Sequence, residues 1–105
     1  MKSNDFIWHG GRVVHWDLDD LDLNKGILQQ IDILKEDLAL IEYDNDIIIG
    51  LGWLPEFNPD GRFVLDVIKS EDWDNPIAQI EAKNAASLEH IIKQAVSVAR
   101  SASRT

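Results

Sequence analysis

The densest cluster of reactive side chains is carboxylate: Asp17, Asp19, Asp20 and Asp22 fall within six residues. Such a run could hold a divalent cation. A calcium site, however, needs six to eight oxygens around a sharply turned loop, usually with a glycine and a distal Glu. This run is interleaved with Leu18, Leu21 and Leu23 and has no glycine, so it reads as charge at a helix start or as a contact surface. The histidines are His9, His15 and His90. Zinc needs three or four converging ligands with supporting partners, and nothing in the spacing brings these three together. Acid–base catalysis by paired carboxylates is nominally open to a chain with 19 acids, but that abundance singles out no pair. No G-x-S-x-G elbow, phosphate-binding glycine loop or H-E-x-x-H helix occurs. Gly50-Leu51-Gly52 lacks the third glycine and the following helix of a dinucleotide fingerprint. The absence of cysteine removes disulfides, thiolate metal sites and a thiol nucleophile. The expectation is a non-enzyme without catalytic residues, metal or cofactor.

A different kind of chemistry is offered by aromatics beside acids. Of Trp8, Trp16, Trp53 and Trp73, Trp8 and Trp53 lie in strand-like runs and are expected in the core. Trp73 stands among Glu71, Asp72 and Asp74 in a loop. An aromatic ringed by acids suits an anchor against a basic partner; alternatively it folds back over the sheet edge as a lid. Phe57, between Glu56 and Asn58, has the same two readings. Loops 43–46 and 70–76 are expected at one end of a hairpin of strands 46–54 and 62–69, with segment 17–22 a candidate to join them and loop 55–61 at the other end. The candidate partner-binding residues are therefore Asp44, Asp46, Glu71, Asp72, Trp73 and Asp74.

Charge narrows the partner. The net is −9. Lys93, Arg100 and Arg104 against Glu89 leave residues 84–105 at +2, so residues 1–83 carry −11. Such a surface repels nucleic acid and anionic lipid and attracts basic proteins; acidity also simply aids solubility. No secretory signal pattern opens the chain and no apolar run has membrane-spanning length, so a cytoplasmic location is expected.

These residues need a scaffold. Length suits one domain, 1–105. Phe6-Ile7-Trp8-His9 and Arg12 to Trp16 flank Gly10-Gly11 and read as a hairpin. Ile27, Ile31, Leu34 and Leu38 recur at near-helical spacing, predicting a helix over about 20 to 35, weakened by Gly26. Strands are predicted over 38–43, 46–54, 62–69 and 77–82. Gly50 and Gly52 share one face of the second of these, where a neighbour can approach closely. A helix from Ser87 as cap carries Leu88, Ile91, Ile92, Ala95, Val96 and Ala99 on one face. The sum is an α+β fold: a largely antiparallel sheet of about five to six strands with two helices packed on one face. The other face is left partly solvated or free for a partner.

Tyr43-Asp44-Asn45-Asp46, the strand Ile47 to Leu54, Pro55-Glu56-Phe57 with Pro59-Asp60-Gly61, the strand Arg62 to Lys69, Asp72-Trp73-Asp74-Asn75-Pro76 and the closing helix resemble the small immunity proteins of bacterial polymorphic toxin systems, including contact-dependent growth inhibition. The resemblance spans some two-thirds of the chain and is one of style, without residue-by-residue motifs. It implies a cytoplasmic antitoxin that occludes one cognate toxin, often a basic nuclease or deaminase. The alternative is an acidic adaptor or assembly subunit acting by protein–protein contact. Neither reading involves direct nucleic acid or membrane binding.

Overall fold

Alternation of buried and partly exposed side chains builds a five-stranded antiparallel sheet. Its strands are β1 (Arg12–Trp16), β2 (Ala39–Tyr43), β3 (Ile47–Leu54), β4 (Arg62–Lys69) and β5 (Ala78–Ala82), in spatial order β1-β2-β3-β4-β5. The computed structural model describes residues 1–104. Each strand pairs with its neighbour in sequence, so the sheet is a simple meander, which short connections allow. Register fixes the two faces, because residues directly opposite share a face. Ile41, Ile49 and Val67 form one row of the inner face, and Trp53, Phe63 and Ala82 another. The helix α1 (Leu88–Ser103) packs there through Leu88, Ile91, Ile92, Ala95, Val96 and Ala99, all buried. No helix among the described residues is long and apolar enough to cross a membrane.

The fold is therefore α+β, with one long α-helix and a shorter 3-10 segment, Leu28–Ile33, in place of the second helix. That segment is broken at Gln30 (φ −137°). The Gln30 side chain is buried and bonds the loop before it: Oε1 accepts from the Asp22 amide at 2.9 Å, and Nε2 donates to the carbonyls of Asp22 at 2.8 Å and Lys25 at 3.2 Å. A loop folded onto an amide side chain replaces the regular helix, while the apolar spacing still serves the core through Leu18, Leu21, Leu34 and Leu38. The cap of α1 also moves. A 3-10 turn, Ala85–Ser87, leads into the helix, so Asn84, not Ser87, supplies the capping oxygen, accepting from the Ser87 amide at 2.9 Å.

The hairpin around Gly10-Gly11 does not form. β1 pairs with β2, and residues 6–9 stay outside the sheet. Phe6 and Trp8 instead join Trp16 in a ring cluster with centroids 5.3 to 6.1 Å apart, so Trp8 is only partly buried. The Trp8 and Trp16 indoles donate to the carbonyls of Ser3 and Met1, both at 3.0 Å. These local contacts satisfy rings and backbone that a ladder would otherwise pair. Gly11 is required for a different reason: a Cβ there would meet the Tyr43 ring at 2.6 Å.

Tyr43 ties this segment to the sheet, its hydroxyl donating to the Trp8 carbonyl at 2.6 Å. Burial raises its pKa from the ordinary 10.0 to about 12. A pKa raised on folding means that the native state holds the proton more tightly. The stabilisation is complete below pH 10 and is lost as pH rises toward 12. Alkaline unfolding followed by circular dichroism should therefore be less steep over that window in Tyr43→Phe. An unchanged slope would mean that Tyr43 does not control it.

Candidate functional site

The turn after β2 and the loop after β4 meet at one end of the sheet. Ile47 opposes Lys69, which brings Asp44 and Asp46 beside Glu71, and the Ser70 amide donates to the Asp46 carbonyl at 2.9 Å. Four residues here hold positive φ without being glycine: Asn45 (62°), Asp46 (59°), Ser70 (54°) and Glu71 (59°). Each such residue costs of order 1 kcal/mol, more for Ser and Glu than for Asn and Asp. The strain turns both chains sharply, so acidic side chains crowd one rim. Loop 70–76 is then bound internally. The Asp72 amide donates to the Lys69 carbonyl at 3.1 Å, Asn75 Nδ2 reaches both Asp72 carboxylate oxygens at 3.3 Å, and the Ile77 amide closes on the Val67 carbonyl at 2.8 Å.

This end is short of compensating charge. Arg12 lies 3.4 Å from Glu42 and 4.0 Å from Asp44. Among the described residues, Asp46, Glu71, Asp72 and Asp74 form no ion pair. The end of α1 reaches this rim through Asn45, whose side chain donates to the Ser103 carbonyl.

Trp73 folds back onto the outer face of the sheet, at the central strand β3 and not at the sheet edge. The benzo edge of its indole rests on the sheet at Gly50, where a Cβ would meet Cζ3 at 3.1 Å and Cη2 at 3.2 Å. Even so, 49% of the residue is exposed. Ile68, on the same outer face, is fully buried. The loop thus lies across the sheet while presenting half an indole to solvent, flanked in sequence by Asp72 and Asp74.

Beside Trp73 runs an open groove of about 570 Å³ on the outer face, opposite α1. Its lining includes His15, Glu36, Leu40, Val64 and Asp66, with Gly50 and Gly52 in β3. The glycine pair anticipated as a point of close approach serves both ends: Trp73 rests at Gly50, and the Glu36 backbone crosses at Gly52. The groove carboxylates were not legible as a site. Asp66 registers in sequence only as the polar member of an alternating strand, and Glu36 falls between the helix predicted to about 35 and the strand predicted from 38.

Segment 17–22 does not join the acidic rim. The Asp17 amide donates to the Leu38 carbonyl at 2.7 Å, at the start of β2, whereas Asp44 follows its end. The segment lies at the opposite end because β1 runs antiparallel to β2. There Asp17 meets Lys35 at 3.0 Å and His15 at 3.3 Å. The Lys35 hydrogen bond, chiefly, lowers its pKa; desolvation opposes it, and the charges of Lys35 and then His15 add to the lowering. Phe57, 48% exposed, is also remote from the rim, in the loop joining β3 to β4. No group of three or more His, Asp or Glu among the described residues is arranged to hold a metal ion.

No protein-family model, curated protein or solved structure matches this chain.

Proposed function

We propose that this chain is an immunity protein that binds one cognate, basic, nucleic-acid-targeting toxin domain and occludes its substrate groove. The observation that carries the reading is the acidic rim, where Asp46, Glu71, Asp72 and Asp74 have no ion-pair partner among the described residues and whose loop carries a half-exposed indole. A buried aromatic anchor within a charged border is the usual economy of a tight interface. Carboxylates set where nucleic acid phosphates would bind compete for the same basic surface, and the net charge of −9 speeds encounter with it. The reaction is left to the partner; this chain acts by steric and electrostatic exclusion.

An acidic adaptor is the second reading. It is favoured by the two open sheet edges, β1 and β5, and by exposed Ile77 just before β5. Edge docking would be apolar and largely indifferent to salt, whereas toxin capture weakens with salt chiefly through association rate.

The test is co-expression with the product of the gene immediately upstream, followed by calorimetry on the separated pair. A tight one-to-one complex is expected. Replacing Asp72 and Asp74 together by lysine should weaken it by more than about tenfold, mostly in association rate. Unchanged affinity in that double variant, with its fold intact, would remove loop 70–76 from the interface.

A further inference from the structure

We infer that the groove on the outer face of the sheet receives a single arginine side chain of a basic partner protein; this rests on reading the chain as a binder of such a protein. The register defines the receptor. His15, Leu40, Gly50, Asp66 and Gln79 form one row across the sheet on the face opposite α1. At the centre of that row a glycine replaces a side chain, so the floor there is backbone, close enough for the Trp73 ring to lie on it and wall the groove. The next residue across from Gly50 is Asp66. Its Oδ1 accepts from Gln79 Nε2 at 2.9 Å, and among the described residues the carboxylate forms no ion pair.

The chemistry matches a guanidinium. An indole is the best aromatic neighbour for a cation, and the planar guanidinium both stacks on aromatic rings and presents a fork of donors to a carboxylate. Leu40 and Val64 supply apolar contact for the three-carbon stem. Charge complementarity selects the occupant. Glu36, Asp37 and Asp66 all line the groove, and among the described residues none forms an ion pair. His15, the one basic side chain that the described residues put in the lining, is turned to Asp17 at 3.3 Å and the Asp37 carbonyl at 3.4 Å. The groove continues from the acidic rim through Trp73. A partner segment seated on the rim would therefore place one side chain in it.

The probe is Nα-acetyl-arginine amide, added to the full ¹⁵N-labelled chain, with the neutral citrulline counterpart as control. Saturable shifts are expected at the Gly50 and Gly52 amides and the Trp73 indole N–H, with citrulline weaker by at least about tenfold. Asp66→Asn should weaken the arginine probe by about fivefold while leaving the remaining spectrum in place. Equal response to citrulline, arginine shifts confined to segment 17–22, or an Asp66→Asn variant that binds as well as the parent would each overturn the inference. The two levels of the argument separate in the complex. A basic partner captured at full strength by Asp66→Asn would remove the receptor and keep the immunity reading. Probe binding in the groove with no capture of the upstream gene product would keep the receptor and remove that reading.

Discussion

Gly52→Ala is expected to destabilise the protein by about 3 kcal/mol and to lower Tm by on the order of 10–15 °C. A Cβ built on Gly52 would overlap the Glu36 carbonyl oxygen and lie 2.8 Å from its carbonyl carbon. The obstacle is backbone, so no rotamer change relieves it. Segment 35–38 would have to lift from β3. That movement would loosen the bond from the Trp53 amide to the Lys35 carbonyl (2.8 Å) and the bond from the Leu38 amide to the Leu51 carbonyl (2.9 Å). Each lost bond would leave groups unpaired beside a buried strand, at roughly 1 kcal/mol or more apiece. Gly26→Ala is the matched control: a Cβ there meets nothing, so it should be neutral or slightly stabilising. Thermal denaturation of the two variants tests the claim. Equal Tm values would show that residues 35–38 do not close on β3 as described.

The legible parts of this fold were those decided by periodicity. The strands 38–43, 46–54, 62–69 and 77–82 and the final helix follow from alternation and from the spacing of Leu88, Ile91, Ile92, Ala95, Val96 and Ala99, because one buried face enforces the pattern. The gathering of loops 43–46 and 70–76 followed from the hairpin alone. Three features were hidden for physical reasons. The apolar spacing of Ile27, Ile31 and Leu34 predicts a helix, yet it cannot reveal that Gln30 would satisfy the backbone of residues 22–25 instead. Phe6 and Trp8 suit a strand equally well as a ring cluster, and the choice was made by Trp16 and by the Tyr43 hydroxyl, 35 residues away from Trp8. The position of segment 17–22 depended on whether β1 pairs with residues 6–9 or with β2. The glycine pair in β3 signalled close approach correctly, but not that an indole would approach at one glycine and a carbonyl at the other. The groove, formed by long-range register and crossing backbone, therefore had no local signature.

Trp53→Ala should cost about 4 kcal/mol, a large share of the 5–15 kcal/mol by which small domains are stable. Trp53 is fully buried and meets Phe63 edge-on, with centroids 4.9 Å apart and planes at 78°. Its indole N–H also donates to the Asn58 carbonyl at 2.8 Å, so it fastens loop 55–61 to the core. Gly61 fits against it because a Cβ there would come within 2.6 Å of the indole nitrogen. Trp53→Phe separates these contributions, keeping an aromatic ring in the core while removing the hydrogen bond to the loop. Urea denaturation should find it less damaging than Trp53→Ala. Hydrogen exchange should be faster at the Asn58 and Gly61 amides, with little change at Asp72 and Trp73. The reason is topological: loop 55–61 and the acidic rim lie at opposite ends of the β3–β4 pair. Partner capture by Trp53→Phe should accordingly match the parent. A loss of capture with the rim amides still protected would move the interface to the Phe57 end and overturn the assignment of the binding surface to the acidic rim.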